Sequence, residues 1–156
     1  MIPFYYYLIA IILAAGIFFF SRRLPISLLV GYCFLVIAQT VLSRNSTAEA
    51  MAEWMPFRFL NAGSISHLSG ALSQVMANVI MFMPIGFLIS HYIRKSWLSV
   101  SIAAVFSASL EFLQFVLRKG LCETDDIISN TFGALIGCYI YLLWRSVMNK
   151  YGADKR

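Results

Sequence analysis

The amino-acid sequence predicts an all-α integral membrane protein, on two observations. The chain has 156 residues, of which 60% are hydrophobic and 12% charged, and one soluble core of this size cannot hide so many apolar side chains. Five apolar runs are each near the ~20 residues that a helix needs to cross hydrocarbon: 2–20, 26–42, 72–93, 97–117 and 127–144. Backbone amides in lipid must be paired within their own segment. We therefore expect one domain over residues 1–156, a bundle of about five transmembrane helices.

Basic residues at the ends of these runs indicate how the chain crosses the membrane. No basic residue precedes the first run, and Arg22 and Arg23 follow it, so this run is expected to remain as an anchor with its C-terminal side in the cytoplasm. An outside N-terminus and an inside C-terminus then place eight of the 12 Lys and Arg residues in the cytoplasm. The net charge of +5 is spread over the run ends and forms no continuous patch, so nucleic acid is not an expected partner.

The longest loop, 43–71, lies between the second and third runs, on the outer side in this topology. Ser46 followed by Glu49 fits a capping box, and Trp54 and Met55 belong to the apolar face of the short helix that would follow. Such a helix would lie along the outer membrane interface. A loop that only covers the helix ends is an equally open interpretation.

The third run carries two polar residues, Gln74 and Asn78, on one face of its helix. Pro84 and Gly86 follow further along. A proline inside a helix removes one backbone hydrogen bond, which membrane helices tolerate when neighbours satisfy the freed carbonyl. We therefore expect a bend just below the polar pair.

The stretch 111–137, which joins the last two runs, concentrates polar side chains that hydrocarbon normally rejects. Offsets of three and seven residues place Glu111, Gln114 and Arg118 on one helix face. The next helix has a second such face, and its small-xxx-small pattern is typical of close helix packing. That face consists of Asp126, Asn130, Gly133 and Gly137.

Polar side chains from four different runs fall at one depth, in the outer halves of their helices. Intramembrane polar residues usually face the bundle interior, where partners can satisfy them. We therefore infer one shared site that is open to the outer leaflet. The polar residues at this depth are Gln39, Gln74, Asn78, Glu111, Gln114 and Asn130.

Glu111 is the costliest residue of this site. An ionised carboxylate in the middle of a membrane helix costs on the order of 3 kcal/mol. It therefore needs a cation, several hydrogen-bond donors or a proton of its own. Arg118 and Arg58 are the candidate cations, and Asn78 and Gln114 are the candidate donors. A polar latch that only joins helices is an equally open interpretation.

Acidic residues crowd the start of the fifth run. Helix capping is the preferred explanation, because Thr124 and Asp125 can cap a helix start and because acidic side chains, including Glu123 and Asp126, favour that positive end. A bound cation or amine-bearing ligand is the alternative. The two histidines lack paired-ligand spacing, and no phosphate-binding loop or nucleophile elbow is present. No metal and no cofactor are therefore expected.

Three sequence blocks occur together in one order: MPFRF at 55–59, NVIMFMPIGFL at 78–88, and the stretch 111–137. In combination they resemble the VanZ-like family of small multi-pass bacterial membrane proteins. One position departs from the family, because many members have an arginine where this chain has Gly120. Either the two basic residues just upstream supply that charge, or this part of the site differs. The matching positions are Pro56, Phe57, Asn78, Pro84, Gly86, Glu111, Gln114, Asp126, Asn130, Gly133 and Gly137.

The resemblance implies a bacterial inner-membrane protein with a role at the cell envelope; the founding member is associated with low-level resistance to the glycopeptide teicoplanin. We prefer a non-enzymatic protein whose outward polar cleft alters the access of lipid-anchored or lipopeptide-like molecules to the outer leaflet. A second hypothesis is an enzyme on a lipid-linked envelope precursor, with Glu111 or Asp126 as general acid or base. A third is an assembly factor that docks through Gly133 and Gly137. Membrane lipids are expected partners in each case.

Overall fold

The computed structural model describes residues 24–46, 49, 51–57, 65–93 and 95–153. The first predicted run, 2–20, and Arg58 lie outside these residues. Helix α1 continues without interruption into a short π-helical segment. In chain order the elements are α1 (Leu24–Ile37) with its π-helical extension (Ala38–Leu42), β1 (Met51–Glu53), α2 (Ile65–Tyr92), α3 (Ser96–Leu117), β2 (Leu121–Glu123) and α4 (Thr124–Ala153).

Four helices of the described residues are long and apolar enough to cross a membrane. They coincide with the second to fifth predicted runs and confirm the all-α membrane bundle. Because each helix crosses the membrane once, consecutive helices run in opposite directions. The spans are Pro25–Leu42, Leu68–Tyr92, Ser96–Leu117 and Thr124–Lys150.

Helices α2 and α4 form the most extensive helix pair of the described residues. A Cβ placed on Gly86 would lie 2.0 Å from the carbonyl oxygen of Ala134, and one on Gly133 would lie 2.2 Å from that of Val79. A Cβ on Gly137 would likewise lie too close to the carbonyl oxygen of Met83. Lipid chains are as apolar as the helix surfaces, so association in a membrane depends on such close packing of small residues.

Helix α2 runs unbroken through Pro84. The proline lacks the amide hydrogen that would pair with the carbonyl of Ile80. In the same turn, the hydroxyl of Tyr32 on α1 donates to the neighbouring carbonyl of Met81, with 3.0 Å between the two oxygens. A neighbouring helix thus supplies a hydrogen bond where the proline loosens the backbone ladder.

The apolar core lies where α1, α2 and α3 meet. Phe82 of α2 is fully buried there, and its ring lies 6.0 Å from that of Phe106 on α3, measured between centroids. Val36 and Val41 close the core from α1, and Ala134 closes it from α4. The core fixes α1 and α3 on the α2–α4 pair and so positions the polar residues further along the same helices.

The predicted interfacial helix is wrong over residues 51–53. These residues form β1, which pairs in parallel with β2, with Met51 opposite Leu121 and Glu53 opposite Glu123. A helix here would leave the backbone groups of β2 without these partners, and unpaired backbone groups are costly wherever water is scarce. The segment covers the start of α4. This agrees better with the alternative interpretation, a loop that covers the helix ends.

Two side chains fasten this segment to α4. Thr124 donates its hydroxyl hydrogen to the carbonyl oxygen of Glu53 at 3.3 Å, and Asp125 accepts a hydrogen bond from the backbone amide of Phe57. Phe57 has a φ of 60°, an uncommon value for a residue with a side chain. The large apolar side chains of the segment, including Trp54, are exposed.

Candidate functional site

Polar side chains gather at one end of the bundle, where α1 and α3 end and α2 and α4 begin. The helices alternate in direction, so residues far apart in sequence reach the same level. We call this group the polar cluster. It consists of Arg44, Gln74, Asn78, Ser107, Glu111, Gln114, Asp126 and Asn130.

Asp126 is held by amide side chains from α2. It lies in the first turn of α4 and is 6% exposed. Its Oδ1 accepts hydrogen bonds from Asn78 Nδ2 at 2.7 Å and from Gln74 Nε2 at 3.4 Å. These two amides reach one carboxylate because residues four apart lie on the same helix face. The positive end of α4 also favours a negative charge here.

Glu111 holds the connection between α3 and α4. Its side chain is 3% exposed, and its Oε2 accepts a hydrogen bond from the backbone amide of Glu123 at 3.0 Å. Glu123 belongs to β2, so one short strand pairs with β1 and also donates to a buried carboxylate. The predicted donors Asn78 and Gln114 instead bond Asp126 and Arg44, respectively.

Arg44 is the cation of the cluster among the described residues, and the sequence pattern did not point to it. Its Nη1 donates to Oε1 of Gln114 at 3.3 Å, and Gln114 is 1% exposed. The Arg44 charge acts on both Glu111 and Asp126. The available signal was its position, two residues after the end of the second apolar run.

Arg118 does not share the helix face of Glu111, contrary to the prediction. Helix α3 ends at Leu117, and Arg118 takes a left-handed conformation with a φ of 53°, so the helical periodicity stops before it. Its side chain is exposed. Lys119 points toward the end of α1, where its Nζ donates to the carbonyl of Leu42 at 3.5 Å.

Gly120 provides the space that Arg44 occupies. A Cβ at this position would lie 2.6 Å from Nη1 of Arg44 and 3.3 Å from Oε1 of Gln114, and the glycine has a φ of 140°. Position 120 is where many members of the VanZ-like family have an arginine. A guanidinium group lies against position 120, and it comes from the end of the second run.

Asn130 lies one helical turn below Asp126 and carries an unsatisfied group. Its Nδ2 donates to Oγ of Ser107 at 2.9 Å, one turn below Glu111 on α3. Within the part of the chain that the structure describes, Oδ1 of Asn130 is buried and has no hydrogen-bond partner. A buried acceptor without a donor costs about 1–3 kcal/mol. Ser107 itself was missed, although its offset of four residues from Glu111 is a face signal.

The remaining predicted residues lie around the cluster. Asp125 and Thr124, which were predicted to cap α4, contact the β1 segment. Gln39 was placed at the same depth, yet it is exposed on the π-helical extension. The described residues include no group of three or more His, Cys, Asp or Glu side chains that could hold a metal ion.

Cys122 lies in the short connection between α3 and α4, within the electrostatic influence of the polar cluster. Its thiol is 6% exposed. Burial raises the pKa of this thiol above its ordinary value, and the nearby carboxylates of Glu111 and Asp126 raise it further. The thiol therefore stays protonated at neutral pH. Cys122 lies outside the membrane-spanning segments. The pKa of its thiol therefore provides a measure of the negative charge in the cluster.

The bundle and its buried carboxylates define a class: a small α-helical integral membrane protein with a polar site at one end. Comparison with protein families identifies which one. The VanZ/LLP1 family model matches residues 4–145, and the chain belongs to this family.

One curated relative extends this result. Over 89 residues the chain is 30% identical to "Protein VanZ" of Enterococcus faecium, and the alignment covers 56% of this chain. It covers 55% of that relative, so the chain matches about half of its length. No solved structure matches the chain.

Proposed function

We propose that this protein acts at the bacterial cell envelope and lowers susceptibility to glycopeptide or lipoglycopeptide antibiotics such as teicoplanin. The observation that carries the proposal is the polar cluster, in which two carboxylates on adjacent helices are buried at 3% and 6% exposure. Such groups are expensive within a membrane and usually serve a site. The family and the relative named VanZ supply the envelope context.

The proposed orientation in the inner membrane has the polar cluster facing outward, the N-terminus outside and the C-terminus in the cytoplasm. Basic residues support it. Lys95, Arg145 and Lys150 lie at the end opposite the cluster, and cytoplasmic loops carry an excess of such residues. Antibiotics that act on the outer surface would then meet the cluster from the outer leaflet.

The side chains of the cluster become more buried with depth, an arrangement that suits a ligand entering from the membrane surface. Gln74 is exposed, Asn78 is half-buried, and Asp126, which both amides contact, is buried. Polar groups thus lead from the surface to a carboxylate at membrane depth. A lipid-anchored or lipopeptide-like molecule would place its chain in lipid and its polar part at these polar groups. Binding there would limit its access to the outer leaflet without chemistry.

The test compares teicoplanin susceptibility in cells that carry the wild type, no copy, Asp126→Asn or Glu111→Gln. We expect both variants to reach the membrane at normal abundance and to protect no better than the deletion. Glu49→Gln is the control, because Glu49 is an exposed carboxylate outside the cluster. Susceptibility that is the same for both variants, the deletion and the wild type would remove the proposal.

A second candidate is an enzyme acting on a lipid-linked envelope precursor. It is favoured by the placement of Glu111 and Asp126 in the field of one guanidinium, that of Arg44. Two carboxylates in different environments can divide the roles of acid and base, and an arginine can hold a phosphate. Deletion should then change the profile of lipid-linked or peptidoglycan intermediates. A profile identical to that of the parent would reject this candidate.

The packing bears on the docking surface of the third hypothesis. Gly133 and Gly137 were the predicted docking surface for a partner, but α2 of the same chain covers both. An assembly factor would therefore need a different docking surface.

A further inference from the structure

A groove of about 300 Å³ opens between α1, α2 and α3, away from the polar cluster. Leu29 and Cys33 line it from α1, Ile89 from α2 and Phe106 from α3. These residues lie in the middle turns of α1, the last turns of α2 and the first half of α3. Because the helices alternate in direction, the groove extends from the middle of the bundle toward the end opposite the cluster.

The groove lies at hydrocarbon depth and has apolar walls. Its lining on α2 runs from Ile85 to Tyr92, a rise of about 10 Å along the helix axis. All of its helical lining falls within membrane-spanning segments. Apolar cavities do not retain water, because water needs two or more polar partners. A hydrocarbon chain is the occupant that this depth and this lining favour.

The mouth of the groove is basic. Ile93 lines the groove, and two residues further on Lys95 stands exposed at the start of α3. The N-terminal end of α3 adds positive potential at the same place. In the proposed orientation this end faces the cytoplasmic leaflet, where anionic lipids accumulate.

We propose that the groove binds an anionic phospholipid, with one acyl chain between α1, α2 and α3 and the headgroup phosphate at Lys95. The acyl chain packs against the apolar walls, and the ammonium group of Lys95 pairs with the phosphate. Phe106, which lines the groove, packs against Phe82 of the core, so the wall is held in place before the lipid arrives. A preformed site loses less entropy on binding. The inference is independent of the antibiotic function, because the groove shares no residue with the polar cluster and opens toward the other end of the bundle.

Native mass spectrometry of the full chain tests this inference. The purified protein is mixed with equimolar phosphatidylglycerol and phosphatidylcholine in a mild detergent, and retained lipid is counted. We expect the wild type to prefer phosphatidylglycerol about fivefold, the effect of one lysine at an anionic surface. Lys95→Gln should abolish the preference but still retain lipid, whereas Lys150→Gln, an exposed lysine on α4, should keep it.

A second variant fills the groove. Cys33→Phe should reduce retention of both lipids to the background level, whereas Ala108→Phe, at an exposed position of α3, should not. The thermal midpoint of each variant checks that the fold survives, and Lys95→Gln changes only an exposed residue in any case. Equal retention of both lipids by the wild type would overturn the proposal. So would high-yield disulfide formation between Cys33 and a cysteine introduced into 2–20, because that run would then fill the groove.

Discussion

The contact between α2 and α4 allows a substitution whose cost can be worked from the structure. We expect Gly137→Ala to destabilise the pair. The added Cβ would lie 1.9 Å from the carbonyl oxygen of Met83, whereas such contacts below 3.0 Å essentially never occur. Raising the distance from 1.9 to 3.0 Å requires a displacement of 1.1 Å along the contact. The atom that must move belongs to the backbone of α2, so no side chain can rotate away to relieve the clash.

The magnitude follows from two costs and one gain. Overpacking a tight contact typically costs about 1–3 kcal/mol. A gap of 0.5–1 Å elsewhere along the interface would also forfeit roughly a quarter to a half of each dispersion contact. Alanine recovers up to about 1 kcal/mol of helix propensity relative to glycine. We therefore expect a net loss of about 1–2 kcal/mol in the free energy that holds α4 on α2, or roughly a 5- to 30-fold change in the opening equilibrium.

Cys138, the neighbour of Gly137 in sequence, provides the assay. Its side chain is 2% exposed, so a maleimide reaches it only when the helices separate. The labelling rate is measured in detergent on a background with Cys33→Ala and Cys122→Ala. Gly70→Ala on α2 is the matched control, because a Cβ there meets nothing within 4 Å. Equal labelling rates for Gly137→Ala and Gly70→Ala would refute the close approach of the two helices.

Two further predictions concern the polar end of the bundle. Gly120→Ala should cost about 1–3 kcal/mol, because φ is 140° and the new Cβ would lie 2.6 Å from Nη1 of Arg44; in an Arg44→Ala background the steric part of this cost should vanish, and an unchanged unfolding midpoint in either background would contradict the geometry. The pH profile for alkylation of Cys122 should be displaced to higher pH, because burial and the two carboxylates raise the pKa of this thiol. Stability from this protonated thiol is present below its ordinary pKa and is lost as the pH rises through the higher, folded-state pKa. Glu111→Gln removes one negative charge and should lower the pKa, so a profile that does not move would exclude an influence of Glu111.

The hydropathy pattern of the sequence predicted the four membrane-spanning helices of the described residues. The spans from 26 to 144 were predictable because hydrocarbon imposes a length and an apolar composition on each segment, and both are local properties. The common depth of the polar residues followed from the same reasoning, since span ends define depth by counting residues. Gln74 and Asn78 could be paired with each other in this way, but not with Asp126 on another helix.

Other features depended on contacts between distant parts of the chain. Arg118 seemed to share a face with Glu111 only while α3 was assumed to continue, and the left-handed turn at residue 118 ended that face. The strand at 51–53 carries a sequence that also suits a helix, and its partner 70 residues away decided the outcome. Local propensity is a weak determinant where such pairing is available.

The sequence by itself therefore determined the class of fold, the positions of the four spans that the described residues form, and the small-residue stripe at Gly133 and Gly137, because each is fixed by local composition in a uniform apolar solvent. The tertiary structure alone decided which charges meet. It brought Arg44 to Gln114 across 70 residues, placed that guanidinium against Gly120, and left Oδ1 of Asn130 without a donor among the described residues. Side-chain pairing across helices depends on their rotation and packing, which residue order does not encode locally.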